Sequence, residues 1–286
     1  MSSSSSSSPD RGDGGGEVQM SPGWADLPTD VLLAVLHRLD DLADLLTGVG
    51  HTCRSWRRAA RGEPELWLRI EVRCRRRRRH RWMAEQAVRC SAGRCEAFWG
   101  GSDAVDDRLL CFLAQQAPSL KSLRLISCNY ITREAFMKAI KKFPMLEELD
   151  LTRCRKVSGK EVYEVIGKAC PHLRLLRVNP STPGVVCKGG ILQRDNEEAL
   201  GIATMCQLRS LELSGSQLET ARLVAIIDNC PHLEYLDIRR CWFVRMDCVP
   251  KAKRAKIKML RLPHDQNGDS EFRSNWTPRN QRMVEI

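Results

Sequence analysis

Thirteen cysteines and six histidines are the side chains of this chain best suited to chemistry, since thiolate and imidazole serve both as zinc ligands and as nucleophile and base. Two of the histidines stand in the same phrase, Cys170-Pro171-His172 and Cys230-Pro231-His232, which look like two halves of one metal site. Their register argues otherwise. The phrases fill equivalent positions of a repeating unit, two units apart, and strands stacked at about 4.8 Å would separate them by roughly 10 Å. One ion cannot bridge that gap. No C-x-x-C pair, H-E-x-x-H, G-x-S-x-G or Gly-rich phosphate loop occurs in the sequence, so no metal, cofactor or catalytic residue is assigned.

Charge is the next candidate. The formal net charge is +11 over 286 residues, but it is local: residues 50–94 carry 14 arginines against 4 acids, while residues 1–49 carry 2 basic and 8 acidic side chains. Arg75 to Arg79, with His80 and Arg81, form a run with no stacking aromatic before Trp82. It reads first as a solvated linker, next as a nuclear import signal and last as a nucleic-acid patch, so nucleic acid is not an expected partner. A second cluster, Lys251 to Lys258, follows the last clear repeat and reads as a terminal cap or tail.

The elements that carry these residues announce themselves by repetition. Pro118-Ser119-Leu120-Lys121-Ser122-Leu123-Arg124-Leu125-Ile126-Ser127-Cys128 returns 26 positions later as Pro144-Met145-Leu146-Glu147-Glu148-Leu149-Asp150-Leu151-Thr152-Arg153-Cys154. Each copy continues with apolar residues at helical spacing, Phe136, Ile140 and Phe143 in one and Val162, Val165, Ile166 and Ala169 in the other. One strand plus one helix at a period in the twenties is the signature of a leucine-rich repeat, whose units bury their apolar faces only by stacking. Further copies open at Pro171, Leu208 and Pro231, and a degenerate one precedes them at Ala97 and Trp99. The expected fold class is α/β: short N-terminal helices, then a short solenoid of about six strand-helix units with a parallel sheet on its concave face. The spacing from Leu173 to Leu208 exceeds its neighbours, and the excess falls on Asn179 to Gly190; Asp195 is the expected N-cap of the helix that follows.

The expected organisation is a disordered Ser/Gly-rich tail over 1–22, a helical unit over 23–70, a basic linker over 71–94, repeats over 95–249 and a basic tail over 250–286. No apolar run approaches the 18 residues of a membrane span, and the odd cysteine count without a secretory signal points to reduced thiols and to the cytoplasm or nucleus.

Within 23–70, Leu27-Pro28, Asp30, Leu32-Leu33, Leu36 and Leu39, then Cys53-Arg54-Ser55-Trp56-Arg57-Arg58, then Pro64-Glu65-Leu66-Trp67 resemble the F-box. Followed by cysteine-containing leucine-rich repeats, the order is similar to that of the plant F-box/leucine-rich-repeat proteins, though His51-Thr52 stands before Cys53 where that family usually carries a valine. The resemblance implies a Skp-type adaptor as partner, through it a cullin scaffold, and a target protein, of unknown identity, held by the repeats for ubiquitination. It places Leu27, Pro28, Leu32, Leu36, Leu39, Cys53, Trp56 and Trp67 in the F-box, divided between adaptor contact and internal packing. A free-standing repeat scaffold without ligase role is the alternative.

Alternation along the strands puts Arg124, Asp150, Arg177, Glu212 and Asp237 in one concave column, with Tyr235 beside it. These are the candidate target-binding residues. The first four alternate in sign and can satisfy one another; Glu212 and Asp237 are like-charged neighbours with no evident partner in the column, although Arg239, two residues past Asp237 on the same face, can neutralise part of their charge. No membrane partner is expected.

Overall fold

Every P-x-L-x-x-L-x-L phrase becomes a strand followed by a helix in the computed structural model, which describes residues 23–39, 44–49, 53–72, 77–101, 104–179 and 190–265. The serine-rich stretch 1–22, residues 180–189, Arg75 and Arg76, and residues 266–286 lie outside the described residues. Eight strands form one parallel sheet in sequence order: β1 (Arg69–Val72), β2 (Ala97–Gly101), β3 (Ser122–Ile126), β4 (Glu148–Asp150), β5 (Leu175–Arg177), β6 (Ser210–Glu212), β7 (Tyr235–Asp237) and β8 (Met259–Arg261). The helices between them are α3 (Arg77–Cys90), α4 (Asp107–Gln116), α5 (Arg133–Ile140), α6 (Lys160–Ala169), α7 (Gly190–Ile202), α8 (Thr220–Asn229) and α9 (Lys251–Arg254); α1 (Thr29–Leu36) and α2 (Arg54–Gly62) precede the sheet.

In-register pairing aligns Phe98, Leu123, Leu149, Leu176, Leu211 and Leu236 on the core face, each 0% exposed. Full burial of one such side chain contributes about 1.5–3 kcal/mol, and only a neighbouring unit supplies the cover. Carboxylates tie the helical layer together. Asp106 caps α4 by accepting from Leu109 N (2.9 Å), and Asp107 reaches into the next unit to accept from Thr132 N (2.7 Å) and Thr132 Oγ1 (2.9 Å). After the strands, Ser127, Arg153, Gly215 and Arg240 share a left-handed backbone with φ between 59° and 81°. Their N–H groups donate to Thr152, Asn179, Arg239 and Pro263 carbonyls at 2.8–2.9 Å, which turns each loop in step with the next.

Three expectations are corrected. The stretch 71–94 is not a linker: it holds the end of β1 and helix α3, where Met83, Ala84, Ala87 and Val88 are buried. Arginines outnumber that apolar stripe and mask it in the sequence. Nor is 250–286 wholly a tail, since α9 and β8 add a last unit, held by Lys253 Nζ to Asp228 (2.7 Å) and Lys258 Nζ to Glu234 (2.9 Å). Two further strands therefore extend the expected six units to eight. Asp195 does not cap its helix; α7 begins at Gly190 and Asp195 lies inside it, accepting from Ser216 Oγ (3.1 Å) and Gln217 N (2.7 Å) of the following unit.

The chain turns directly after β8, the last strand among the described residues. Asp265 Oδ2 accepts from Leu262 N (2.7 Å) and Asp265 N donates to Leu262 O (3.2 Å), while Pro263 lacks a donor.

Helices α6 and α7 pack closely enough that a Cβ at Gly201 would meet Lys160 O at 2.6 Å and Tyr163 Cβ at 2.8 Å. Alanine in place of a helical glycine ordinarily gains about 1 kcal/mol. Here Gly201→Ala is expected to destabilise by about 1–3 kcal/mol through overpacking, read as a lowered urea midpoint at unchanged slope; a raised midpoint would show that the two helices can part.

Candidate functional site

The N-terminal helices divide the F-box-like residues into two sets. Leu32, Leu36 and Trp67 are buried, and Trp56 is 9% exposed. These four are interior residues: Trp67 Nε1 donates to Ala60 O (2.8 Å) and Trp56 Nε1 to Trp24 O (2.7 Å). Leu27, Leu39 and Cys53 are half-buried against the same core, and Pro28 is exposed. The sequence reading missed Trp24, 72% exposed, and Val31, 43% exposed. Trp24 is the aromatic just ahead of Leu27-Pro28, and Val31 lies on the α1 face opposite Leu32 and Leu36. Ser55 Oγ donates to Ala25 O (3.0 Å), so the turn bearing Trp24 is pinned to α2. Cys53 stands at the N-cap of α2, its thiol held below the usual range by the Ser55 hydroxyl and the Trp56 backbone.

Only Leu68 separates the turn Pro64–Trp67 from β1. Helix α3 packs against that turn, the turn Asp44–Gly48 and β1, and one apolar cluster runs from Leu32 to Ile257. The exposed apolar surface of the N-terminal unit is thus rigidly joined to the sheet.

On the sheet, the pairing register places Arg124, Asp150, Arg177, Glu212 and Asp237 in one column as expected, and continues it to Trp99 and Arg261. Arg124 lies over the Trp99 ring at 4.2 Å and 3.8 Å from Glu148. Arg177 Nε donates to Glu212 Oε1 at 2.8 Å, with Nη1 3.9 Å from Asp150. The expectation that Glu212 has no partner in the column is corrected, since Arg177 takes it; Asp237 is chelated from outside the column by Arg239, Nε to Oδ1 at 3.0 Å and Nη2 to Oδ2 at 2.6 Å. Asp237 is 1% exposed, a burial that the bidentate guanidinium makes tolerable.

Desolvation still marks the column. Burial pushes the Glu212 carboxyl up, and Asp237 and Asp150 add to the effect that Arg177 opposes. Burial also raises Glu148 against the pull of Arg124, and lowers Arg124. Tyr235, buried beside Glu212 and Asp237, is pushed up to about 12 by burial and then by those two charges. Most candidate target residues are therefore interior members of an ion ladder.

The buried repeat cysteines are structural donors. Cys128, Cys154 and Cys241 each donate to a strand carbonyl of the preceding unit, Gly100, Leu125 and Leu213, at 3.4, 3.0 and 3.1 Å. Cys170 and Cys230 donate to loop carbonyls of the preceding unit, Phe143 and Met205, at 3.6 and 3.5 Å, and burial pushes both thiols up to about 12. His172 and His232 are exposed. No group of three metal-ligating side chains occurs among the described residues.

Comparison with known proteins fits this geometry. The F-box-like family model matches residues 24–73. F-box protein SKIP19 of Arabidopsis thaliana is 34% identical over 91% of this chain and 83% of its own length. An Arabidopsis relative provisionally named F-box/LRR-repeat protein 22 is 33% identical over 87% of this chain and 80% of its own. Among solved structures, a chain of the yeast Rad7 and Elc1 complex aligns with a TM-score of 0.42 at 18% identity, over 59% of this chain and 42% of that one.

Arg177 is the cation between two buried carboxylates, and its loss leaves both uncompensated. Arg177→Met is expected to cost about 3–5 kcal/mol at neutral pH. In that variant Glu212, already pushed up by burial, loses the guanidinium that opposes the rise and binds its proton more tightly folded than unfolded, where carboxyl values lie at about 4. Stability then rises as pH falls from 7 toward 5, whereas the parent gains less. Urea titrations at both pH values check this; an equal deficit at each would show that the ladder is electrostatically unimportant.

Proposed function

The chain belongs to the plant F-box/leucine-rich-repeat proteins, and from that premise we propose that it is the substrate-recognition subunit of a Skp-cullin-F-box ubiquitin ligase. The N-terminal helices dock on the Skp-type adaptor, the adaptor joins the cullin, and the solenoid holds the target for ubiquitination and proteasomal degradation. The observation that carries this reading is the exposure of Trp24, Pro28 and Val31 on a unit whose other large apolar side chains, among the described residues, are buried or half-buried. Clustered apolar exposure beside half-buried Leu27 marks a protein contact. A repeat scaffold alone has no use for it.

In this reading the chain contributes no reacting group. It works by proximity, raising the effective concentration of target lysines near a conjugating enzyme, and the short junction at Leu68 makes that geometry reproducible. The compartment is the cytoplasm or nucleus, where the thiols that link the units stay reduced.

Replacing Leu27 and Pro28 together by alanine is expected to weaken adaptor co-purification by at least about 30-fold, as for interface anchors worth about 2 kcal/mol or more, with circular dichroism unchanged. Leu36→Ala, by contrast, is expected to lose about 2–5 kcal/mol of stability. Undiminished adaptor binding by the folded double variant would favour the scaffold.

A further inference from the structure

The loop after β7 differs from its counterparts. The two residues following the repeat cysteine are Asn129-Tyr130 after β3 and Arg155-Lys156 after β4, but Trp242-Phe243 after β7. Trp242 is 61% exposed and Phe243 50%. Arg240 and Arg245 flank them and are exposed too. Arg240 makes no ion pair among the described residues, and Arg245 approaches only Asp247, at 3.9 Å, with both side chains more than 70% exposed, so that pair is worth little.

Exposure here is not looseness. Cys241, fully buried, anchors its thiol to Leu213 O at 3.1 Å. Arg240 N donates to Pro263 O at 2.9 Å and Val244 N to Cys241 O at 3.1 Å, with Val244 buried. Thr220 Oγ1 accepts from Arg245 N (2.8 Å) and donates to Phe243 O (3.5 Å). The Trp242 ring rests against His264, centroids 5.2 Å apart. Two aromatic faces and two guanidinium groups are thus presented on a fixed backbone, which lowers the entropy lost on binding. Trp and Arg are also the side chains that dominate protein interface energies.

We infer that residues 240–245 form an anchor site for a target protein, taking an apolar side chain against Trp242 and Phe243 and carboxylates of the same segment on Arg240 and Arg245. The concave column cannot do this part, because its charges are already paired. Nucleic acid is a poorer fit: two exposed cations, one of them beside Asp247, fall well short of the roughly 6–10 phosphate contacts of a salt-driven complex. The inference rests on the proposed function only in calling the partner a target; the site itself is independent of adaptor docking.

The test is a selection of displayed random short peptides against the full chain, repeated against Trp242→Ala/Phe243→Ala and Arg240→Glu/Arg245→Glu. Both pairs are solvent-facing, and circular dichroism confirms that the variants fold. Selected peptides are expected to centre on a Leu, Phe or Trp flanked by Asp or Glu, and each double variant is expected to weaken their binding by about tenfold or more. Peptides that bind the variants unchanged, or a selection that yields basic sequences or none dependent on Trp242 and Phe243, would overturn the site. Adaptor co-purification of the same variants is measured alongside. Its loss in the unsubstituted chain would count against the ligase reading without touching the peptide result.

Discussion

Parallel strands in register put equivalent positions of successive repeats about 4.8 Å apart, and everything carried on this solenoid must obey that spacing. Identical apolar side chains stack well at this distance, hence the unbroken leucine column. Thiols also suit it, because a cysteine just past one strand reaches a carbonyl of the strand before. Like charges do not. The ionic column therefore alternates from Arg124 to Glu212, and its one like-charged step, Glu212 to Asp237, survives because each carboxylate finds a guanidinium elsewhere, Arg177 on one side and Arg239 on the other. The concave face is electrostatically settled before any partner arrives.

How much of this was legible depended on which residues carried the period. Leucines, prolines and cysteines spaced by about 26 named five strands outright and a sixth by extrapolation. The first and last strands were hidden for a shared reason: Ile70 and Val72 in β1 and Leu260 in β8 supply too few apolar positions to show the period, and the adjoining helices are dominated by Arg and Lys. The column was legible because alternation of period two is dictated by the pleat. Its pairings were legible as far as cross-strand neighbours go. Arg239, just past β7, was also legible as a neutraliser of Asp237 from its place two residues on; its bidentate grip is set by side-chain reach. Asp195 carries a capping residue's chemistry but spends it across units on Ser216 and Gln217, which no local rule of helix initiation anticipates.

The F-box residues were legible as a set and not as a partition. Sequence spacing puts Leu32 and Leu36 on one face of α1, yet whether that face meets an adaptor or the protein's own core depends on what lies behind it. Here α2 lies there, so the periodic leucines are interior and the outward residues are the irregular ones, Trp24, Pro28 and Val31. A unit with so few buried side chains is marginal alone. Its stability is borrowed from the first repeat, through the core that Trp67, Ile70 and Val88 share.

That dependence bears on how a receptor of this kind would work. A ligase subunit acting by proximity needs the distance between adaptor and target to be fixed more than it needs a deep pocket, and a continuous core from Leu32 to Ile257 fixes it by construction. The consequence is a sheet whose polar groups are largely consumed in holding the units together. In such a receptor, recognition would fall on positions that the stacking leaves free, which include the exposed loop residues directly after the repeat cysteines. Around Cys241 the backbone is fixed by its hydrogen bonds while Trp242 and Phe243 face outward.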